Sequence, residues 1–441
     1  MAHQIPSNTL ERDALALHAK GHSKVQPGEI AIGVIIGRTS EFFDFFVYAI
    51  ASVLVFPQVV FPYLDRLNGT LWSFAIFALA FVARPFGSAI FMAIDRNYGR
   101  SAKLTIALFL LGSSTVAVAF LPGYAQVGSL SAIILCAFRI GQGVALGGAW
   151  DGLASLLAIN APENRRGWFA MIPQLGAPLG LIVASGLFAY FLNALSTADF
   201  LDWGWRYPFF VAFALNVVAL FARLRMVVAP DYETLFRNDE LKPSRITATI
   251  RSDGWKIVVG AFAPLASFAL FHMVTVFPLS WVVLFTNETA ARFLLVEIVG
   301  AVVGLIAIVS SGLLADRYGR RSVLGVSAAA IAVYSGFAPQ LLATGELGAA
   351  AFMIVGFALL GLSFGQSSGA VASSFSLQSR YTGSALTSDL AWLFGAGFAP
   401  LVALLLATRL GLIAAGLYLL SGALGTLVAL VVNRNLAGRT S

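Results

Sequence analysis

The sequence predicts an all-α membrane protein with twelve transmembrane helices in two pseudo-symmetric six-helix bundles. Hydrophobic residues make up 59% of the chain and charged residues 11%, and the mean hydropathy is +0.84. Soluble domains carry about 25% charged residues, so this balance excludes a soluble fold. The charged tract 95–100 returns as 316–321, an offset of 221 residues in a chain of 441. A tract repeated at half the chain length indicates a membrane protein built from two related halves.

Each predicted span is a continuous apolar stretch that can cross a hydrocarbon core of about 30 Å. The stretches do not alternate between polar and apolar residues, which excludes a membrane β-barrel. The predicted spans are 29–57, 68–93, 101–122, 129–158, 167–195, 206–228, 255–284, 290–315, 320–342, 348–378, 383–406 and 411–433. These give a tail at 1–28, an N-terminal bundle at 29–228, a linker at 229–254, a C-terminal bundle at 255–433 and a tail at 434–441.

The placement of positive charge predicts the orientation. With both termini on one side, that side carries 21 of the 28 Lys and Arg residues. A bias of this kind places both termini in the cytoplasm. The net charge of +7 is therefore explained by topology, and we expect no nucleic-acid partner. The opposite side carries only Arg66, Arg206, Arg292 and Arg409, and three arginines lie inside spans: Arg38, Arg84 and Arg139.

Other classes of protein are disfavoured by the residues that are missing. The single cysteine, Cys136, cannot form an internal disulfide, and no Cys/His cluster suggests a metal or another cofactor. The acids inside the spans lie singly, and no nucleophile–base group appears, so we do not expect an enzyme. We expect a monomer whose partners are the lipid bilayer, protons and a small molecule.

The repeated tract predicts two tight turns, which we call the hinge turns, at Gly99 and Gly319. Residues 312–321 match throughout the signature G-x-L-x-D-R-x-G-R-[RK], and here the chain resembles the major facilitator superfamily. The first copy has an inserted residue and lacks the preceding glycine and the final basic residue, so its gating role is open. The candidate gating residues are Asp95, Arg96, Gly99, Arg100, Asp316, Arg317, Gly319 and Arg320.

A finer resemblance, over about residues 29–433, is to the metabolite:proton symporter family. This resemblance implies the major facilitator fold and proton-coupled import of small carboxylates, amino-acid-like osmolytes or related metabolites across the bacterial inner membrane. The segments that carry it are 41–48, 84–87, 139–148, 165–167, 203–209 and 380–383.

Span one carries a stripe of polar side chains. Arg38, Glu41, Asp44 and Tyr48 share one helical face by their three- and four-residue spacing. Intramembrane charges are costly and normally face a cavity or a partner, which makes the stripe a candidate site. In the alternative, Arg38 and Glu41 neutralise each other as a structural pair.

Arg139 in span four is the predicted partner of Asp44. It lies near the middle of the membrane, and the resemblance implies an arginine there that faces a span-one acid. Protonation of the acid would free the arginine for an anionic substrate, so we assign proton coupling to Asp44, Glu41 and Arg139. Static packing of the pair is the alternative.

Span four departs from the family near its end. Many members read Gly-Gly-Glu where this chain has residues 147–151, ending in Trp150 and Asp151. The acid is displaced by two residues, about 200° around a helix. Asp151 either replaces the family's acid from a neighbouring face or bonds to a loop arginine.

The C-terminal half has its own intramembrane groups: His272, Glu297 and Asp389. Apart from residues at the span ends, its predicted spans contain no Lys or Arg, so the acids are either protonated or paired with a cation from the substrate or the other half. The resemblance implies that asparagine is usual at Asp389. His272 is either an ordinary interior residue or a proton carrier.

The predicted substrate contacts combine these charged groups with polar and aromatic ones. Polar side chains at membrane depth need partners, which favours the three glutamines. The complete predicted set is Arg38, Arg139, Tyr48, Gln142, Gln174, Trp150, His272, Gln366, Asp389 and Glu297. Aromatic residues that could shape the cavity are Phe42, Phe43, Phe45, Trp150, Trp281 and Trp392.

The predicted function is proton-coupled uptake of a small organic acid or zwitterion by alternating access. Efflux by proton antiport is one alternative, because the many aromatic residues suit an apolar cavity. A solute sensor with a transporter fold is another, given the altered first hinge turn. Acids within the spans suit a substrate with an amino or quaternary group, whereas protonated acids would leave a cationic site for an anion.

Overall fold

The computed structural model describes residues 27–149, 157, 161–227, 243–372, 375 and 377–432. All regular structure in these residues is helical, with no strand among them. Nine of the described helices are long and apolar enough to cross a membrane, and one of them, 66–119, contains both span two and span three. Span one carries four charged residues and span nine is only 16 residues long, so neither is among the nine. Together these account for twelve spans.

The N-terminal half places its helices close to the predicted positions. Spans two and three form one run that turns at Gly99, and span five is continuous apart from a short 3₁₀ turn. The main helices are Pro27–Leu54, Arg66–Ala119, Leu130–Gly148, Arg166–Met171, Gly176–Ala194 and Tyr207–Val227.

The C-terminal half contains more interrupted helices. Span seven breaks near Ala263 and at Val276, and span eleven contains a π-helical segment, Trp392–Gly397. The helices are Ile246–Phe262, Leu265–Thr275, Phe277–Phe285, Ala290–Tyr318, Arg320–Ser335, Glu346–Phe364, Ser367–Ala372, Leu377–Ala391, Ala399–Leu410 and Ala415–Val432. Span seven begins at Ile246, so the last part of the predicted linker is helical; the other predicted domain boundaries remain predictions.

Both hinge turns have the predicted backbone geometry. Gly99 and Gly319 each have φ of 84°, in the left-handed region that side chains other than glycine rarely adopt. We call the face of the protein that carries these turns the hinge face; it is the predicted cytoplasmic face. The two turns are equivalent points in the two halves, as the repeat predicts.

Spans two and four make direct backbone contact. A Cβ on Gly87 would lie 2.1 Å from the carbonyl oxygen of Val144, and a Cβ on Gly143 would lie 2.4 Å from that of Ala80. Small residues permit such approach between membrane helices. This contact brings Arg84 of span two and Arg139 of span four into the same region of the N-terminal half.

Candidate substrate and proton site

A small cavity lies between the two halves. Its volume is about 40 Å³, which is enough for water molecules but not for a metabolite. Spans one, two and four supply most of the lining, and span eleven supplies one aromatic ring from the other half. The lining residues are Arg38, Glu41, Phe42, Phe45, Ala80, Phe81, Arg84, Leu146 and Trp392.

Glu41 is held between two guanidinium groups. Its Oε2 accepts from Nη1 of Arg38 at 2.8 Å, and its Oε1 accepts from Nη2 of Arg223 at 2.6 Å. Arg223 stands near the end of the predicted span six, 206–228. Arg223 is only 2% exposed and lies inside the bundle, because its chain reaches back along span six to a carboxylate that needs a partner.

Asp44 is buried, and its carboxylate accepts from a hydroxyl. Its Oδ1 lies 2.6 Å from Oγ1 of Thr115 in span three. Among the described residues Asp44 makes no ion pair, and the direct Asp44–Arg139 contact predicted from the sequence is not formed. Instead Arg139 donates from Nε to the carbonyl of Phe77 at 3.1 Å and from Nη1 to Oε1 of Gln142 at 3.1 Å.

Two side chains bridge the acid and the arginine. Nε2 of Gln142 donates to Oγ1 of Thr115 at 3.0 Å, and Thr115 donates to Asp44. Every donor in this hydrogen-bond chain points from Arg139 toward Asp44. The pair is separated because Gln142, one turn after Arg139, and Thr115 occupy the space between them.

Asp389 pairs with a cation from the other half. Nε of Arg84 lies 2.8 Å from its Oδ1, and the hydroxyl of Ser88 donates to its Oδ2. Of the alternatives left open by the sequence, the structure therefore shows the one in which the N-terminal half neutralises this acid. The pair links span two to span eleven beside the cavity.

Glu297 is the other acid at the interface between the halves. It is fully buried in span eight and accepts at 3.1 Å from the hydroxyl of Ser185 in span five. Its Oε1 has no hydrogen-bond partner, and no cation contacts it among the residues described. Glu297 does not line the cavity, so its predicted contact with substrate is not formed here.

His272 sits in an aromatic cluster at the centre of the molecule. Its ring stacks on Phe45 with centroids 5.1 Å apart and meets the edge of Phe77 at 5.3 Å. Trp392 lies 6.4 Å from the same imidazole. The cluster contains residues from both halves, and two of them, Phe45 and Trp392, also line the cavity.

The ring of Tyr48 packs against the guanidinium group of Arg139. The guanidinium carbon is 4.0 Å from the centroid of the Tyr48 ring, a cation–π contact. This contact places the last residue of the span-one stripe against span four. Tyr48 is absent from the cavity lining.

The aromatic predictions are met in part. Phe42, Phe45 and Trp392 line the cavity. Phe43 is fully buried on the side where span one meets span five, and the rings of Trp281 and Phe285 lie 4.4 Å apart. Neither Phe43 nor Trp281 is among the residues that line the cavity. Trp150 and Asp151 lie outside the described residues.

Two of the predicted glutamine contacts belong to the interface between the halves. Nε2 of Gln174 donates to the hydroxyl of Ser367 at 3.1 Å, and Nε2 of Gln366 donates to the carbonyl of Gly167 at 3.2 Å. In this conformation they bind the other half rather than line the cavity. Only Gln142 of the three lies in the central hydrogen-bond chain.

The second hinge turn contacts the first half directly. The two carboxylate oxygens of Asp316 accept from the backbone N–H groups of Gly167 and Trp168, at 2.6 and 3.1 Å. These N–H groups open span five, where a negative charge is stabilised by the helix end. Arg320 donates to the carbonyl of Gly369 at 3.0 Å, whereas Arg317 lies over the ring of Tyr318.

The first hinge turn also contacts the opposite half, despite its departures from the signature. Oδ2 of Asp95 accepts from the hydroxyl of Tyr381 at 3.2 Å, and Nζ of Lys103 lies 3.5 Å from the same oxygen. Arg100 lies 3.8 Å from it, and Arg96 donates to the carbonyl of Ser244 at 3.2 Å. Asp95 therefore has a partner across the interface, and the gating role of this turn stays a prediction.

Several functional candidates were missed from sequence. Thr115 and Ser88 gave no signal, because hydroxyls are common in packed membrane helices. Arg84 and Tyr381 lie in segments that carry the family resemblance, which was a usable signal. Lys103 is the third residue of the predicted span 101–122, and its burial was not predicted.

Comparison with known proteins assigns this chain to a family. Residues 30–242 match the family model described as "Sugar (and other) transporter". The chain is 36% identical over 416 residues to an inner membrane metabolite transport protein, YhjE, of Escherichia coli, covering 92% of this chain and 93% of the relative. It is 28% identical to the shikimate transporter of the same organism, covering 86% of this chain and 87% of the relative.

Solved structures agree on the fold. A D-xylose–proton symporter superposes with a TM-score of 0.70 at 18% identity, covering 94% of this chain and 99% of the symporter. All of these relatives and neighbours are transporters, and this chain is a transporter rather than an enzyme. The twelve-span fold, the hinge turns and the relatives together establish that the chain belongs to the major facilitator superfamily, among its bacterial metabolite transporters.

Proposed function

We propose that this transporter takes up a small organic acid or zwitterion together with protons, by alternating access between its two halves. It works as a monomer in the inner membrane with both termini in the cytoplasm, as the charge bias predicts. Its membrane location and transporter class already follow from the relatives. The substrate, the proton and the direction are the proposed parts.

One observation carries the proton assignment: the hydrogen-bond chain from Arg139 to Asp44. Asp44 is buried and has a hydroxyl rather than a cation in contact with it. Glu41, in contrast, already binds two guanidinium groups. Neutralising Asp44 with a proton therefore breaks no ion pair, so Asp44 is the better carrier and Glu41 the supporting acid.

The substrate site is the cavity between the halves. Its wall carries the cations Arg38 and Arg84 beside the rings of Phe42, Phe45 and Trp392. Cationic side chains suit a carboxylate, and aromatic faces suit a quaternary or protonated amine. Relatives named as a shikimate transporter and a proline/betaine transporter, both from Escherichia coli, support this range of substrates.

Alternating access requires the contacts at the hinge face to break. Asp316 with the start of span five, and Asp95 with Tyr381, hold the two halves together there. The Arg84–Asp389 pair crosses the interface next to the cavity, where a bound substrate could compete for either partner. Opening at the hinge face would release substrate to the cytoplasm.

The test is uptake of radiolabelled shikimate, proline and glycine betaine into proteoliposomes under an imposed pH gradient. The wild type should accumulate at least one of them when the outside is acidic. Asp44→Asn should lose this dependence on the gradient. A matched control is Asp65→Asn, because Asp65 is an exposed helix-capping acid at the start of span two.

Three outcomes would contradict the proposal. If Asp44→Asn keeps the proton dependence of the wild type, the coupling assignment is wrong. Proton-driven expulsion of substrate would indicate antiport. Binding of a solute without counterflow would indicate a sensor.

A further inference from the structure

Three buried polar atoms at the centre of the molecule lack a hydrogen-bond partner within the described residues. They are Oη of Tyr48, Nη2 of Arg139 and Nε2 of His272. All three side chains are fully or almost fully buried. Burying a donor or acceptor without a partner is unfavourable, so a group of three such atoms calls for an explanation.

The three side chains surround one ring, Phe77. The Phe77 centroid lies 4.7 Å from the guanidinium carbon of Arg139, 5.3 Å from the His272 ring and 6.3 Å from the Tyr48 ring. The guanidinium and the imidazole are therefore within 10 Å of each other. Tyr48 and Arg139 belong to the first half and His272 to the second, so the group spans the interface.

Phe45 separates this group from the cavity. It lines the cavity, stacks on His272 at 5.1 Å and lies 5.6 Å from the guanidinium carbon of Arg139. A change in the Phe45 rotamer would expose these side chains to the cavity. The unpaired atoms are thus one aromatic ring away from the substrate cavity.

The hydrogen-bond network fixes the character of His272. Oγ1 of Thr275 donates its only proton to the carbonyl of Phe271 at 2.9 Å. The contact at 3.2 Å between Nδ1 of His272 and the same oxygen therefore has the imidazole as donor. In the neutral imidazole, Nε2 is then an acceptor, and its missing partner is a donor.

Arg139 requires the opposite chemistry. Nη2 can only donate, and a carboxylate is the partner that a guanidinium in a buried site favours most. A ligand that satisfies both atoms must present a carboxylate to Arg139 and an N–H or O–H group to His272. The hydroxyl of Tyr48 can serve either part of such a ligand.

We propose that Tyr48, Arg139 and His272 form a ligand subsite selective for small acids that carry a hydrogen-bond donor, a hydroxyl or an N–H, near the carboxylate. This inference rests on the proposed transport function and narrows its substrate class. Acids without a donor, such as fully methylated betaines, leave Nε2 of His272 unpaired and bind more weakly. Contact with both halves makes His272 the specificity-determining residue of the C-terminal half.

The experiment is equilibrium binding to the purified full-length protein by isothermal titration calorimetry, without a pH gradient. In each of two pairs a methyl group replaces the donor proton: N,N-dimethylglycine against glycine betaine, and lactate against 2-methoxypropionate. We expect roughly tenfold tighter binding of the donor-bearing member of at least one pair, the effect of one buried unpaired group. His272→Phe, which fits the aromatic surroundings, should reduce that ratio to about one.

Thr275→Val provides a second variant outside the subsite. Thr275→Val removes the acceptor that fixes the imidazole tautomer, so it should also reduce the binding ratio of the donor-bearing to the methylated acid. Thr275→Ser keeps this acceptor and should keep the ratio. The proposal is overturned if His272→Phe keeps the wild-type ratio, if the donor-free acids bind as tightly, or if none of the four acids binds. A retained ratio without proton-driven uptake would instead overturn the proposed function and leave the subsite standing.

Discussion

Asp44 and Arg139 are joined through two intervening side chains rather than by direct contact. Arg139 donates to Gln142 at 3.1 Å, Gln142 to Thr115 at 3.0 Å, and Thr115 to Asp44 at 2.6 Å. Hydrogen bonds in series polarise one another, so the carboxylate is stabilised at a distance by the guanidinium. A proton on Asp44 removes the need for the Thr115 hydroxyl to donate there. The whole chain can then reorient, which links the proton to the orientation of Arg139.

Thr115→Val tests this chain. Valine has nearly the shape of threonine but cannot donate, so Asp44 loses its contact and Gln142 loses its acceptor. Loss of a buried hydrogen bond that leaves groups unpaired costs about 1–3 kcal/mol. We expect proton-driven uptake to fall about tenfold or more, measured as the initial rate in proteoliposomes under an imposed pH gradient.

Thr115→Ser is the matched control, because it keeps the hydroxyl and should retain most of the wild-type rate. Both variants should fold, which a melting curve in detergent would show. If the valine variant transports like wild type with unchanged proton dependence, the chain has no part in coupling.

Arg223→Met tests the buried ion pairs of Glu41. Nη2 of Arg223 lies 2.6 Å from Oε1 of Glu41, with both side chains largely buried. Removing one member of a buried pair typically costs about 3–5 kcal/mol, because the remaining charge is left unpaired. Arg38 still contacts Glu41, so we expect a loss near the lower end, about 3 kcal/mol, measured as a lower melting temperature in detergent.

The double variant Glu41→Gln/Arg223→Met provides the control. It removes both charges, so it should melt above Arg223→Met alone. An Arg223→Met protein as stable as wild type would show that Arg223 is not needed to neutralise Glu41.

The sequence predicts those parts of the site that depend on the periodicity of a single helix. Spacing along span one placed Arg38, Glu41, Asp44 and Tyr48 on one face, and the structure brings all four to the interior of the first half. Helical periodicity is local, so it can be read from one segment. The twelve spans and the two hinge turns follow from equally local patterns of hydropathy and charge.

Pairings between spans were harder to predict, because they depend on how helices rotate against one another. Asp389 gave no sign that Arg84, about 300 residues away, would neutralise it. Arg223 stands near the end of predicted span six, and nothing in the sequence indicates that its long side chain reaches Glu41 in span one. Gln174 and Gln366 bind across the interface, which hydropathy alone does not reveal.

Asp316→Ala tests the contact at the hinge face. The carboxylate accepts two backbone N–H bonds at the start of span five, an interaction whose loss costs about 1–2 kcal/mol. This loss should shift the population toward opening at the hinge face by roughly five- to thirtyfold. Spin labels at the exposed residues Tyr98 and Tyr318, in a Cys136→Ser background, would report the distance between the halves.

The expected result is a larger population at long label distance in Asp316→Ala. Asp316→Asn keeps one acceptor oxygen and should show a smaller change. Identical distance distributions in wild type and Asp316→Ala would mean that this contact does not hold the hinge face closed.

Gly87→Ala tests the backbone contact that positions the site. A Cβ there would lie 2.1 Å from the carbonyl oxygen of Val144, so spans two and four must move apart. Overpacking of this kind costs about 1–3 kcal/mol or more, and it would displace Arg84 from Asp389. We expect a lower melting temperature and slower uptake.

The matched control is Gly186→Ala in span five, where the nearest atom to an added Cβ is 3.9 Å away and stability should change by less than about 1 kcal/mol. Of these two glycines, only Gly87 lies in close backbone contact. Equal melting temperatures for the two variants would therefore show that spans two and four can separate without cost.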